Sequence, residues 1–277
     1  MTMPKIPVGD FFEAVIDFLI TRFSIVTRTI SRTMKAAISD IVDFFSWFNP
    51  LFLIVVVSLL VWRIVGKKGA LITFFGLLYL WNQQLWLPTL ETFVLVLIAT
   101  LLAVIIGLPL GIWTGLSDLC FRIMAPILDF MQTMPAFVYL IPAIAFFGLG
   151  SVSAIFSTLI FAIPPVIRLT GLGLREIPKE LMEAADSFGT TKMQKLLKVQ
   201  LPLAKPTIMA GIQQAIMLSL SMVVIAAMIG AGGLGAEVWR AIQRLDMALG
   251  FEAGIGVVVC ALILDSWTHQ LIYKKGA

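Results

Sequence analysis

Residues 183–202 read EAADSFGTTKMQKLLKVQLP, a polar, lysine-bearing stretch in a chain of 277 residues that is 60% hydrophobic and only 13% charged. Its meaning depends on the phase that lies on either side, so the flanking runs decide the fold. A mean hydropathy of +1.00 is far above that of soluble globular proteins and marks a membrane protein. An ionised side chain at the bilayer centre costs about 2.5 kcal/mol or more, so charge-free runs mark the crossings. There are 19 uncharged residues between Asp43 and Arg63, 22 between Lys68 and Glu91, and 26 between Glu91 and Asp118, each near the roughly 20 that cross a bilayer. The 38-residue run from Phe130 to Ile167 is too long for one helix, and Gly148-Leu-Gly150-Ser offers a reversal in its middle. Pro206 to Ala236 and about Phe251 to Leu271 complete the set. The expectation is an all-α, polytopic helical membrane protein with about seven transmembrane helices.

Six of the seven tryptophans, Trp47, Trp62, Trp81, Trp86, Trp113 and Trp267, fall near proposed span ends, where aromatic belts form; Trp239 is expected in a loop. One set of loops carries thirteen basic residues, from Arg63 and Lys67 through Arg122, Arg168, Arg175 and the Lys192–Lys205 group to Lys274 and Lys275, whereas the opposite set carries Arg240 and Arg244. Positive loops stay cytoplasmic, so the quoted segment and the C-terminus are expected inside and the N-terminus outside. Crediting the outside with the five basic residues of the N-terminal tail leaves the order unchanged. That tail, residues 1–45, carries apolar residues near helical spacing (Val15, Leu19, Phe23, then Ile30, Met34, Ile38, Ile41), which predicts an amphipathic surface helix. It serves either as a scaffold or partner contact, or simply as an anchor. Nothing in it resembles a cleaved signal peptide.

Reactive chemistry is sparse. Cys120 and Cys260 lie far apart in apolar surroundings and read as small buried hydrophobes; His269 stands alone near the C-terminus, an interfacial polar residue. Gly230-Ala-Gly232-Gly233-Leu-Gly235 has the spacing of a dinucleotide loop, but it follows a membrane helix on the outer side and no βαβ unit surrounds it. A flexible outer turn or gate fits better. The chain lacks a GxxxxGK[ST] phosphate loop, so any energy from ATP must enter through another subunit. No catalytic residue is assigned. Pro135 and Pro142 fall inside one proposed span, where each frees a carbonyl, as in a pathway helix or a merely kinked packing helix. Asp129 precedes them, either as a functional acid or as an interfacial partner of Arg122.

Within the quoted stretch, Pro178 suits a helix first turn, Leu181, Ala185 and Phe188 share a face, and Gly189 stops the helix. Thr191 and Gln194 form a capping-box pattern that opens a second helix with Met193, Leu196 and Leu197 on one face, ended by Leu201-Pro202. Exposed at a membrane surface, those apolar faces call for a partner or a lipid surface to cover them. Both ends are tethered to spans and base-reading side chains are missing, which argues against a nucleic-acid element.

Glu183-Ala184-Ala185, three residues, Gly189, nine residues and Val199-Gln200-Leu201-Pro202 together resemble the EAA signature of permease subunits of binding-protein-dependent ABC importers, with Val199 where the family prefers isoleucine. The stretches at 129–150, 160–173, 198–238 and 252–255 look like glycine betaine/proline betaine permeases. The resemblance implies a type I importer permease fold in residues 46–277 of a bacterial cytoplasmic (plasma) membrane, a permease homodimer, a separate ABC ATPase subunit that holds ATP and Mg, and an external substrate-binding protein. It implies a coupling loop at 171–205 in which Glu183, Ala184, Ala185, Phe188, Gly189, Val199, Leu201 and Pro202 dock on the ATPase. The translocation pathway or gate is expected at Asp129, Gln132, Met134, Pro135, Phe137, Pro142, Ser219, Ser221, Met222, Gly232, Gly233 and Gly235. The implied task is ATP-driven uptake of a quaternary-ammonium osmoprotectant. Choline, carnitine or another amino-acid derivative stands as the alternative solute, and a secondary transporter, membrane sensor or membrane-embedded enzyme as rivals of other kinds.

Overall fold

The computed structural model describes residues 8–273; the side chain of His269 and the pair Lys274 and Lys275 lie outside the described residues. In chain order the helices are α1 (Val8–Ser46), α2 (Pro50–Val65), α3 (Lys67–Asn82), α4 (Trp86–Leu116), α5 (Asp118–Thr133), α6 (Leu140–Phe147), α7 (Ser151–Arg175), α8 (Lys179–Ser187), α9 (Lys192–Lys195), α10 (Leu201–Ala226), α11 (Leu234–Arg244) and α12 (Met247–Tyr273). No strand occurs among the described residues, which is what a bilayer demands of backbone that must satisfy its own hydrogen bonds.

Four helices are long and apolar enough to cross on their own: α4, α7, α12 and the continuous helix Lys192–Ile229. The bent pairs α1–α2 and α5–α6, with angles of 97° and 107°, raise the number to six. The 16 residues of α3 span about 24 Å, short of the roughly 30 Å hydrocarbon core. The reversal expected at Gly148–Gly150 separates α6 from α7. The proline-containing run, by contrast, is not one continuous helix. It breaks between Thr133 and Leu140, where Pro135 leaves the helix (ψ 137°) and a 3-10 turn, Ala136–Tyr139, restarts it. Trp239 lies in α11 instead of a loop. α1 is a single 39-residue helix whose Ile38 and Val42 enter the core, while Phe18 and Ile25 stay exposed.

The centre of the molecule is the packing of α4, α7 and α10. Ala99 and Ala103 are fully buried on α4, and Gly107, Gly111 and Gly115 continue their four-residue spacing down the same face. A β-carbon at Gly107 would stand 2.9 Å from Val166, one at Gly111 would stand 2.5 Å from the Thr170 Cβ and 2.9 Å from the Ile167 carbonyl oxygen, and one at Gly115 would stand 2.8 Å from Leu174. Helices approach this closely in membranes only over such small residues. α7 meets α10 in the same way, with Gly211 against the Pro165 carbonyl oxygen and Gly173 against Ala204 and Thr207. Cys120 and Cys260 are both buried.

Gly111→Ala is expected to destabilise the protein by about 1–3 kcal/mol through overpacking, read as a lower thermal midpoint in detergent. Gly254→Ala, inside α12 with nothing within 4 Å of the added carbon, is expected to leave that midpoint unchanged or slightly raised.

Candidate functional site

The segment between α7 and α10 is rooted by Arg175, the last residue of α7. Its guanidinium donates twice to the Thr114 carbonyl oxygen (3.0 and 2.9 Å), pairs with Asp118 at 2.7 Å and lies 4.4 Å over the Phe121 ring. One side chain thus ties α7 to α4 and α5. Pro178 then holds an extended conformation (ψ 135°) ahead of α8. Gly189 ends that helix at φ +68° with open space around it, so its backbone conformation and not crowding calls for glycine. The capping box is present: Thr191 N donates to Gln194 Oε1 at 2.9 Å and Gln194 N to Thr191 Oγ1 at 3.3 Å. Lys195 reaches back to both carboxylate oxygens of Asp186, at 2.6 and 2.8 Å. α8 and α9 are therefore one tied unit.

Leu201-Pro202 does not end the second helix. Proline has no N–H to donate, and a π turn, Leu196–Gln200, widens the helix so that Leu201 N bonds the Leu196 carbonyl five residues back. Helix then runs unbroken from Lys192 to Ile229. Phe188 is 88% exposed, and Leu181, Met193 and Leu197 are exposed beside it. Glu183, Ala184, Gly189 and Pro202 also lie on the surface. Ala185 is buried, and Leu196 and Leu201 pack with Leu174, Ala204 and Ile208, so these residues fasten the unit and do not present a face.

The residues expected along a pathway divide into two groups. Met134 and Met222 meet in one cluster with Tyr139, Leu140 and Ala226, where Met222 is fully buried and Pro142 is part-buried. Ser219 is also inside, accepting a 3.1 Å hydrogen bond from Thr100 of α4. Gln132, Pro135, Phe137 and Ser221 are exposed. Ser221 shares an open face of α10 with Gln214, which the sequence reading had passed over; Ala210, Gln213, Met217 and Leu218 line a groove there. Polar Gln and Ser side chains facing outward from a span mark a surface that lipid alone would not cover.

Two partnerships differ from expectation. Asp129 pairs with Arg168 of α7, not with Arg122; a separation of 39 residues hides it from any local reading. The Gly230–Gly235 turn is fixed, not loose. The Glu91 carboxylate accepts from Gly233 N at 2.5 Å and Thr92 Oγ1 accepts from Leu234 N at 2.8 Å, so two α4 side chains cap α11 in the manner of helix N-caps. A β-carbon at Gly232 would run into that carboxylate, and one at Gly235 would stand 2.7 Å from Val224 Cα.

Comparison with known proteins agrees with this architecture. Residues 107–272, more than half of the chain, match the family model described as binding-protein-dependent transport system inner membrane component. The chain is 50% identical to the glycine betaine/carnitine transport permease protein GbuB of Listeria monocytogenes, over 99% of this chain and 98% of that one. It is 44% identical to the glycine betaine transport system permease protein OpuAB of Bacillus subtilis, over 99% and 97%, and 44% identical to the glycine betaine/proline betaine permease ProW of Escherichia coli, over 96% and 75%. Among solved structures, the inward-facing MetNI methionine ABC transporter superposes with a TM-score of 0.64 at 21% identity, covering 69% of this chain and 95% of that one, a likeness of fold. The chain belongs to the inner membrane components of binding-protein-dependent transport systems.

Proposed function

We propose that this chain is the membrane-spanning permease subunit of an ATP-driven importer of quaternary-ammonium osmoprotectants such as glycine betaine and proline betaine. The observation that carries the coupling role is the tied α8–α9 unit, which holds Phe188, Met193 and Leu197 exposed on a frame fixed by the Asp186–Lys195 pair and the Arg175 anchor. A side chain that is fully apolar and 88% exposed at the tip of a rigid loop is the anchor type that a partner's pocket covers. In this reading the partner is the ABC ATPase subunit, which holds ATP and Mg and carries out hydrolysis; the permease itself moves solute. Two copies of the chain enclose the passage, an external binding protein delivers the solute, the N-terminus faces outward and the C-terminus inward. Residues 1–45 act as an amphipathic tail beside the permease domain at 46–277.

Closure of the ATPase subunits shifts the α8–α9 unit and so biases the spans between inward- and outward-facing arrangements, a two-state change driven by differential contact. Solute choice rests mainly with the binding protein, where aromatic side chains select quaternary ammonium by cation–π attraction. A related solute remains the second reading, since the relatives' own names include carnitine and trimethylamine N-oxide.

Two measurements test these assignments. Gly189→Val places a β-branched residue in the left-handed region at a cost of about 1–2 kcal/mol, and uptake and solute-stimulated ATP hydrolysis are expected to fall together in the assembled complex; normal values for both would sink the coupling role. Phe188→Ala is expected to weaken retention of the ATPase subunit at least about tenfold in a detergent pull-down, with the permease itself still folded. For the solute, uptake by the reconstituted complex across betaines, choline, carnitine and proline should favour the betaines.

A further inference from the structure

Arg168 lies seven residues before the end of α7, about 10 Å along the helix from Arg175. Unlike Arg175, it has a single hydrogen-bonding partner among the described residues, the Asp129 carboxylate of α5. Both side chains remain open, at 42% and 62% exposure, and they edge a cavity of about 330 Å³ whose other walls include Met124, Leu128 and Leu172. The pair also joins two unequally held elements. α7 has sixteen buried residues, whereas α5 buries only Cys120 and Leu128 and ends at the 107° break into α6.

We propose that Asp129 and Arg168 form a zwitterion-exchanging constriction in the translocation passage, a role that rests on the betaine-import reading above. Either charge left alone within a span would be unfavourable, because an ion loses hydration there. Paired, they leave the empty passage neutral. A betaine carries the same two charges joined by a short carbon chain. Its carboxylate takes the Arg168 guanidinium, which suits a planar two-oxygen acceptor. Its quaternary ammonium has no N–H to donate, so it rests as a bare cation against the Asp129 carboxylate, with its methyl groups on Met124, Leu128 and Leu172. No charge is left uncompensated at any stage, because one ion pair is traded for two. A cation without a carboxylate leaves Arg168 unmatched, which makes the constriction selective for the zwitterion.

The test uses the reconstituted complex with its ATPase and binding protein, reading molecules of radiolabelled glycine betaine imported per ATP hydrolysed. The double variant Asp129→Asn with Arg168→Gln removes both charges together and leaves no ion unpaired, so a merely structural pair, worth little at an exposed site, leaves that ratio at the wild-type value. The exchange role predicts that the ratio falls at least about tenfold, the size of losing a charged contact to the solute, while binding-protein-stimulated hydrolysis continues. Asp129→Asn alone, in which the amide oxygen still accepts from Arg168, gives a second measure of the same ratio. A value within about twofold of wild type in either assembled variant overturns the proposal. A wild-type complex that imports no betaine overturns instead the import reading beneath it, and the two failures are told apart by that control.

Discussion

The close approach of α4 to α7 over Gly107, Gly111 and Gly115 is the contact on which the rest of the molecule depends. Lipid gives no hydrophobic push between helices, so association rests on how nearly two backbones can pack. These glycines allow Val166, Thr170 and Leu174 to lie where a β-carbon would otherwise sit. The register that results brings the Thr114 carbonyl within reach of Arg175 and so fixes the root of the α8–α9 unit. It also places Thr100 against Ser219 of α10 and leaves the N-terminal end of α4 positioned to cap α11. α10 repeats the device on the other flank of α7 through Gly211 and Gly173, which makes the three helices one body.

Mechanical continuity follows from how the α8–α9 unit joins that body. On one side it reaches α7 through a link in which Pro178 is extended, and on the other it passes straight into α10. The π turn at Leu196–Gln200 lets the helix accommodate Pro202 without a break, as π turns do where a regular ladder cannot close. Helix runs unbroken from Lys192 to Ile229, so Met193 and the far end of α10 belong to one continuous element. That end is held by Gly230 and by the turn that Glu91 and Thr92 cap. Both ends of α10 are thus tied to α4, directly beyond its C-terminal end and through Arg175 and α7 at its N-terminal end.

How much was legible in the sequence depended on the range of the interaction. Local rules worked: the capping box at Thr191–Gln194, the stop at Gly189 and the reversal at Gly148–Gly150 are set by residues within a few positions of each other. Charge marked where apolar helix lies but not where each helix ends: the charge-free runs 44–62 and 69–90 are each divided between two helices. Rules for proline misled twice. Pro202 was taken to end a helix that a π turn carries onward, and Pro135 was placed inside a span that breaks there, because tertiary packing and not the residue type decides whether a freed carbonyl is absorbed or the helix parts. Long-range partners were out of reach: the only ionic partner offered for Asp129 beside a functional role was the near Arg122, not Arg168, and the glycine turn was read as a flexible turn or gate because its caps lie 142 residues earlier. The apolar exposure of Phe188 was legible as a pattern; the Asp186–Lys195 tie that stiffens its frame was not.

The acids that lie within or beside the spans show how differently the fold treats one kind of group. Glu91 is part-buried and satisfied by a backbone amide, a partner with no freedom to leave. Asp265 of α12 accepts from the Gln213 side-chain amide of α10, so a neutral donor holds it between two packed helices. Asp129 alone among these three faces a full opposite charge, and both members of that pair stay open to a cavity. If the ion pair served only to fasten α5, further partners would be expected to hold its arginine, as the Thr114 carbonyl, an acceptor, and the Phe121 ring hold Arg175. An exposed pair is worth little as a fastener. Its placement instead suits groups whose partners change, because opposite charges at an open edge can be exchanged for a solute's own without leaving either one bare.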